Sequence, residues 1–205
     1  MTRALLVRHG QSVPNTRPER ICGHNEGAQL TATGREQSIT FGSVRDIPGA
    51  KIDAFYHSTA RRTRDTGLFA MHSAGITVTD FITNSRLNEV SQGANEGRLR
   101  SEVYTPDAVQ ALRSKGLDGK LPGTESLREA QERMWQALAC IYREHPEGNV
   151  MIFTHGLVTR AMVGALGNLT RDEILALEID NLGETCIDIT STQRASVEYV
   201  GKTYK

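Results

Sequence analysis

This sequence has no net charge, few cysteines and no long apolar run, and each shortage removes a class of function. Twenty-four basic residues cancel 24 acidic ones over 205 residues, so whole-molecule charge argues for neither a nucleic-acid nor a membrane-surface partner. Cys22, Cys140 and Cys186 are odd in number and widely spaced. Without a Cys-x-x-Cys pair they make neither a disulfide framework nor a zinc site, and they suit a reducing cytosol. No apolar stretch is long enough to span a bilayer. Met1-Thr2-Arg3 leads into the first strand with no signal-peptide pattern, so a cytoplasmic location is expected. Internal repeats, low-complexity segments and linkers are also missing. A hydrophobic share of 38% and a mean hydropathy of −0.39 suit a single soluble domain.

What is present is organised around Ala4-Leu5-Leu6-Val7-Arg8-His9-Gly10. The apolar run reads as a strand buried on both faces, ended by an arginine, a histidine and a turn. In open α/β sheets ligands sit just beyond such carboxyl ends. The polar stretch from 11 to 29 is long for a plain connection and is expected to serve a site. Thr33 with Glu36 predicts a capped helix running to about Val44. Asp53-Ala54-Phe55-Tyr56-His57 predicts a second strand, with Ser58 as N-cap of an arginine-rich helix to about His72. Thr77-Val78-Thr79 is a candidate third strand. Residues 88–123, polar and punctuated by glycines, are expected to form a lid or insertion over the sheet edge.

From Glu125 the pattern turns helical. Leu127, Ala130, Met134, Leu138 and Ile141 share one face, and Glu125 reads as a first-turn residue. Asn149-Val150-Met151-Ile152-Phe153-Thr154 predicts another buried strand, and it too ends in His-Gly, at His155-Gly156. A helix through Leu157 and Ala165 comes next, then a short one capped by Thr170 with Glu173 and running to about Ile179. Residues 185–190 and 196–200 predict an edge hairpin, at which a second copy of the chain could pair as a homodimer. Strands alternating with helices indicate an α/β fold with a largely parallel sheet.

If the two His-Gly strands are neighbours, His9 and His155 meet at one carboxyl edge. The strand ending at Ser58 brings Arg61, Arg62 and Arg64 to the same edge, although helical spacing lets only some of them face inward. Imidazoles and guanidiniums around one crevice suit a phosphoryl group. They do not suit a divalent cation, which fixed positive charge repels, so neither metal nor cofactor is expected. His24, His57, His72 and His145 carry no pattern and read as surface or structural residues.

Leu6-Val7-Arg8-His9-Gly10 with Asn15, Leu30-Thr31-x-x-Gly34-x-x-Gln37, Ser58-x-x-x-Arg62-x-x-x-Thr66, Leu87-x-Glu89-x-x-x-Gly93-x-x-Glu96-Gly97, Pro122-Gly123-x-Glu125-Ser126 and Thr154-His155-Gly156 occur in this order. Together they resemble the signature blocks of the histidine phosphatase superfamily, the phosphoglycerate mutase-like proteins. The resemblance implies a three-layer α/β sandwich in one domain over residues 1–205. It implies His9 as nucleophile, Arg8 and Arg62 on the phosphoryl oxygens, and His155 as a further donor. Glu89 would be the proton donor and acceptor, neutral at first through burial or a neighbouring carboxylate. Asn15 and Gly156 would line the phosphate, and Glu96 would be structural. After Glu89 the chain continues Val90-Ser91-Gln92, not the Arg-His-Tyr expected of a mutase. The resemblance therefore favours a metal-independent hydrolase acting on a small-molecule phosphate monoester. A cofactor-dependent mutase, and an inactive phosphoester binder, are the alternatives. Gly27-Ala28-Gln29 before Leu30, and Asp65 and Gly67 beside Thr66, depart from the usual pattern.

Overall fold

A computed structural model describes residues 1–47, 49–77 and 80–204. In chain order the strands are β1 (Thr2–Arg8), β2 (Ile52–His57), β3 (Phe81–Thr83), β4 (Asn149–Thr154), β5 (Glu184–Ser191) and β6 (Arg194–Lys202). The helices are α1 (Ala32–Val44), α2 (Arg61–Ser73), α3 (Arg100–Val103), α4 (Pro106–Ser114), α5 (Leu127–Glu144), α6 (Gly156–Gly167) and α7 (Arg171–Ala176). One sheet has the order β3-β2-β4-β1-β5-β6. Its first four strands are mutually parallel, while β5 and β6 run antiparallel to their neighbours.

Alternation along the strands sorts the core into two layers of packing. Leu6, Tyr56, Val150, Ile152 and Ile187 point to one face and meet Ala130, Met134, Leu138 and Ile141 of α5 and Val158 and Met162 of α6. Leu5, Val7, Phe55, Met151 and Phe153 point to the other and meet Phe41 of α1 and Ala70 and Met71 of α2. This is the expected three-layer α/β sandwich. Most of these side chains are fully buried, and each contributes on the order of 1.5–3 kcal/mol on leaving water.

Several local expectations are corrected. Helix α1 is capped by Thr31, whose side chain accepts from Gly34 N at 3.0 Å, and not by Thr33. Helix α2 begins at Arg61 with Ala60 as N-cap, so Ser58 is not its cap. Helix α7 ends at Ala176, short of Ile179. Residues 78 and 79 of the candidate third strand lie outside the described residues, and the strand found nearby is Phe81–Thr83. The Phe81 ring lies 4.2 Å from the His57 ring and 5.9 Å from that of Phe153. It fills the space above Gly67, where a Cβ would come within 2.4 Å of Phe81.

The parallel strands β2, β4 and β1 finish in register. Val7 pairs with Phe153 and Arg8 with Thr154, and His57 pairs with Phe153. His9 N then donates to Thr154 O at 3.0 Å and Ser58 N to Phe153 O at 3.2 Å. Arg8-His9, Ser58 and His155 are thus delivered side by side at one edge of the sheet.

Candidate active site

The two imidazoles lie 5.3 Å apart, centroid to centroid, inclined at 71°. His9 is 4% exposed and His155 fully buried. His9 Nδ1 stands 2.7 Å from Gly10 O, and a carbonyl can only accept, so the proton sits on Nδ1 and Nε2 keeps its lone pair. That lone pair receives Arg62 Nε at 3.2 Å. In His155 the assignment is reversed. Nδ1 accepts from Arg62 Nη2 at 3.0 Å, so Nε2 carries the proton and donates to Ser58 Oγ at 2.8 Å. Burial, followed by the charge of Arg62, holds both imidazoles well below the usual histidine pKa, in agreement with neutral rings.

Arg62 is 1% exposed and has a partner for every N–H. Besides the two histidines it donates to Gly23 O at 3.2 Å, His24 O at 3.3 Å and Asn25 O at 2.8 Å. Gly23 reaches this position with φ of +54°, a conformation glycine adopts without strain. The long polar stretch after β1 therefore has a definite task, which is to cage this guanidinium. Its neighbours Arg61 and Arg64 are exposed, and Arg61 pairs with Asp65 at 3.3 Å on the surface. Only the middle arginine of the cluster faces inward.

Arg8 is fixed differently. Its Nη1 donates to Ile179 O at 2.5 Å, while its Nε is buried without any acceptor. A buried donor left unpaired is costly, and an anion in the adjoining cavity would satisfy it. Gly156 borders this guanidinium closely, since a Cβ there would sit 3.3 Å from Arg8 Nε. Asn15 is oriented by Ser12, whose N and Oγ approach its Oδ1 at 2.9 and 3.0 Å. That leaves the Asn15 NH2 without a part in this turn, on a residue that lines the cavity.

Glu89 closes the arrangement. Its Oε2 accepts from Leu157 N at 3.1 Å, and its Oε1 accepts from Val158 N at 2.9 Å and Val90 N at 3.0 Å. The first two donors belong to the opening turn of α6, where unpaired N–H groups and the helix dipole receive a carboxylate. Its hydrogen-bond partners are thus amides, not the neighbouring carboxylate that the sequence allows. Arg8, His9, Asn15, Arg62, Glu89 and Gly156 all line one cavity of about 730 Å³. Within the described residues no group of three or more His, Cys, Asp or Glu could hold a metal ion.

Three contributors carry no mark in the sequence that reveals their use. Ser58 fixes the His155 tautomer, and its own hydroxyl stands 2.8 Å from Thr63 Oγ1. Glu125 is not simply a first-turn residue. It lies before Ser126, the N-cap of α5, receives Arg133 at 2.7 and 2.9 Å, and accepts from Ser91 N at 3.1 Å. Arg133 in turn donates to Arg86 O at 2.7 Å and Asn88 O at 3.0 Å, clamping the backbone that carries Glu89. Nothing local singles out an arginine within a long amphipathic helix for this role. Glu96, expected to be structural, accepts from His24 N and Asn25 N at 2.8 and 3.1 Å and so braces the carbonyls around Arg62.

Known proteins resemble this chain in sequence and in fold. Residues 4–201 match the sequence profile of the histidine phosphatase superfamily (branch 1). The chain belongs to that superfamily. Within it, a 2,3-bisphosphoglycerate-dependent phosphoglycerate mutase of Bartonella quintana (strain Toulouse) is 31% identical over 180 residues, covering 85% of this chain and 86% of the relative. Among solved structures, Bacillus stearothermophilus YhfR superposes with a TM-score of 0.84 at 22% identity, covering 99% of this chain and 98% of its own. A mycobacterial glucosyl-3-phosphoglycerate phosphatase gives 0.81 at 20% identity, covering 98% and 99%. Histidine phosphatase relatives thus include both mutases and hydrolases, and the shared fold does not choose between them.

Proposed function

We propose that this chain is a metal-independent cytoplasmic phosphomonoesterase acting on a small phosphorylated metabolite through a phosphohistidine on His9. The observation that carries the reading is the hydrogen bond from His9 Nδ1 to Gly10 O at 2.7 Å. It leaves Nε2 unprotonated on a ring that lines the cavity, its lone pair held by Arg62 until substrate binds, and a neutral imidazole is the form that attacks phosphorus. In the first step Nε2 forms the N–P bond as the P–O bond to the leaving group breaks. The leaving oxygen takes a proton from Glu89, which must carry one when substrate is bound. In the second step water gives a proton to Glu89 and displaces the phosphoryl group from His9.

Arg8, Arg62, the Asn15 NH2 and His155 serve the phosphoryl oxygens, where the transition state holds its charge. The oxygens replace His9 Nε2 and His155 Nδ1 as acceptors for Arg62. Loss of that Arg62 contact, beside an anion, lets His155 Nδ1 gain a proton and become a donor. Val90-Ser91-Gln92 after Glu89 supports hydrolysis over mutation, as do structural neighbours described as phosphatases. A second reading, a bisphosphate-primed phosphoglycerate mutase, is favoured by the curated relatives at about 30% identity.

Phosphate release from a panel of phosphometabolites in excess EDTA, run beside phosphoglycerate isomerisation with a bisphosphate primer, separates the two. The expected result is EDTA-resistant release that far exceeds isomerisation. Efficient primed isomerisation, or activity restored only by added metal, overturns it.

A further inference from the structure

The cavity is also lined by charge that the proposed phosphoryl transfer does not use. Arg160 on α6 and Arg171, the first residue of α7, both line it. The two are fixed in the same way. Arg160 Nη1 donates to Leu175 O at 3.0 Å and Leu177 O at 2.9 Å. Arg171 Nη1 donates to Gly119 O at 3.0 Å and reaches Gly116 O at 3.4 Å. Among the described residues, the Nε and Nη2 groups of both have no protein acceptor. Each guanidinium is therefore held by one nitrogen, with its other edge left open, a geometry suited to a planar or tetrahedral oxyanion.

Charge balance points the same way. Among the described residues lining the cavity, Arg8, Arg62, Arg100, Arg160 and Arg171 have no carboxylate partner, whereas three lining carboxylates have no cationic one. Arg8 and Arg62 are assigned to the phosphoryl group. Arg100, Arg160 and Arg171 remain; Arg100 Nε donates to Pro18 O at 2.9 Å, while burial pushes the pKa of Arg160 and Arg171 down, a strain on the charged form that a bound anion relieves. A cavity of about 730 Å³ lies within the range of roughly 300–1,000 Å³ that accommodates drug-sized molecules. Val109, Leu112 and Leu175 also line it and offer apolar surface for a carbon skeleton.

We propose that the substrate's leaving group is of sugar to nucleotide size and carries a second anion, a carboxylate or another phosphate, bound by the open edges of Arg160 and Arg171. This rests on the phosphomonoesterase reading for its chemistry but names what that reading leaves open.

The test compares esters that differ by one anionic group. Sorbitol 6-phosphate against 6-phosphogluconate tests a carboxylate, and fructose 6-phosphate against fructose 1,6-bisphosphate tests a phosphate. One charge-assisted contact implies a preference of about 10- to 100-fold in kcat/KM for the doubly anionic member of at least one pair, expressed mainly in KM. Arg171→Gln should reduce that ratio by about tenfold. Equal kcat/KM within both pairs, or an Arg171→Gln variant that lowers both members of a pair by the same factor, overturns the proposal. Calorimetric binding of the same esters to His9→Ala, in which the nucleophile is gone, reads the preference without turnover. A mutase would therefore still show the ratio in Kd, and a hydrolase without this subsite would show none.

Discussion

Strands β1 and β4 lie side by side in register and both end in His-Gly, yet the two histidines are held in opposite senses. At His9 the Nδ1 proton is given to the next carbonyl and Nε2 faces Arg62. At His155 it is Nε2 that is tied, to Ser58, and Nδ1 that faces Arg62. The backbone beyond each pair also differs. After Gly10 the chain enters an irregular stretch whose 3-10 turn, Val13–Thr16, presents Asn15. After His155 it enters α6, whose first amides receive Glu89. The dipeptide places an imidazole at the sheet edge; the nitrogen left free, and the course of the chain after it, decide its use.

The largest effect should come from breaking this asymmetry. His9→Ala should abolish turnover together with any phosphoprotein trapped by labelled substrate, a label expected to survive alkali and to be lost in acid. If His9 is the nucleophile as proposed, His155→Ala keeps it and should cost about 10²- to 10³-fold in kcat, the usual loss for one transition-state donor. A variant without His9 that still forms the label would reverse the two roles.

A smaller and more selective effect is expected where α6 meets the acid loop. Glu89→Gln should lower hydrolysis of an alkyl phosphate by about 10²- to 10⁴-fold while an activated aryl ester loses far less. Arg133→Met, acting only through the backbone around Glu89, should show the same selectivity at about tenfold. It should add little once Glu89 is already glutamine. Equal losses on both esters would make Arg133 a general brace of the fold.

A separate effect falls on stability and not on rate. His9, His155 and His57 all have their pKa lowered in the fold, with burial the largest cause, whereas an unfolded chain titrates them near about 6.5. Below that value the unfolded state binds more protons. Stability is therefore complete above about pH 6.5 and falls as pH drops toward the folded pKa values, by up to ~1.4 kcal/mol per pH unit for each imidazole. Urea midpoints at pH 7.5 and 5.0 check this. A flat profile would mean that the rings take up protons as readily in the fold as in the unfolded chain, and stability that rises toward pH 5.0 would mean that they are charged in the fold, against the neutral tautomers of His9 and His155.

The central sheet is legible in the sequence because its strands are short apolar runs with abrupt polar ends, and Asn149–Thr154 is found as expected. Element starts are less legible. Thr33 and Thr31 both offer a hydroxyl near the start of α1, and only the fold selects Thr31. Ser58 resembles a cap because that is a common use of a serine after a strand; its bond to His155, 97 residues away, has no local sign. Arg8, His9, Arg62, Glu89 and His155 are each visible as motif residues. The saturation of Arg62 by three carbonyls, and the grip of Arg133 on the acid loop, depend on long-range backbone approach that no spacing encodes.

Gly67 and Phe81 belong to α2 and β3, and the ring of one occupies the volume a methyl on the other would need. Gly67, one of the departures from the usual pattern beside Thr66, is thus half of a matched pair. A Cβ at 67 would also come within 2.8 Å of the Phe153 ring, so added size on the helix must be offset on the sheet in a dense interior. A relative with alanine at 67 must give up bulk at 81, so the two positions are expected to vary together. Their covariation would trace how β3 came to lie against His57, the residue before the serine that orients His155.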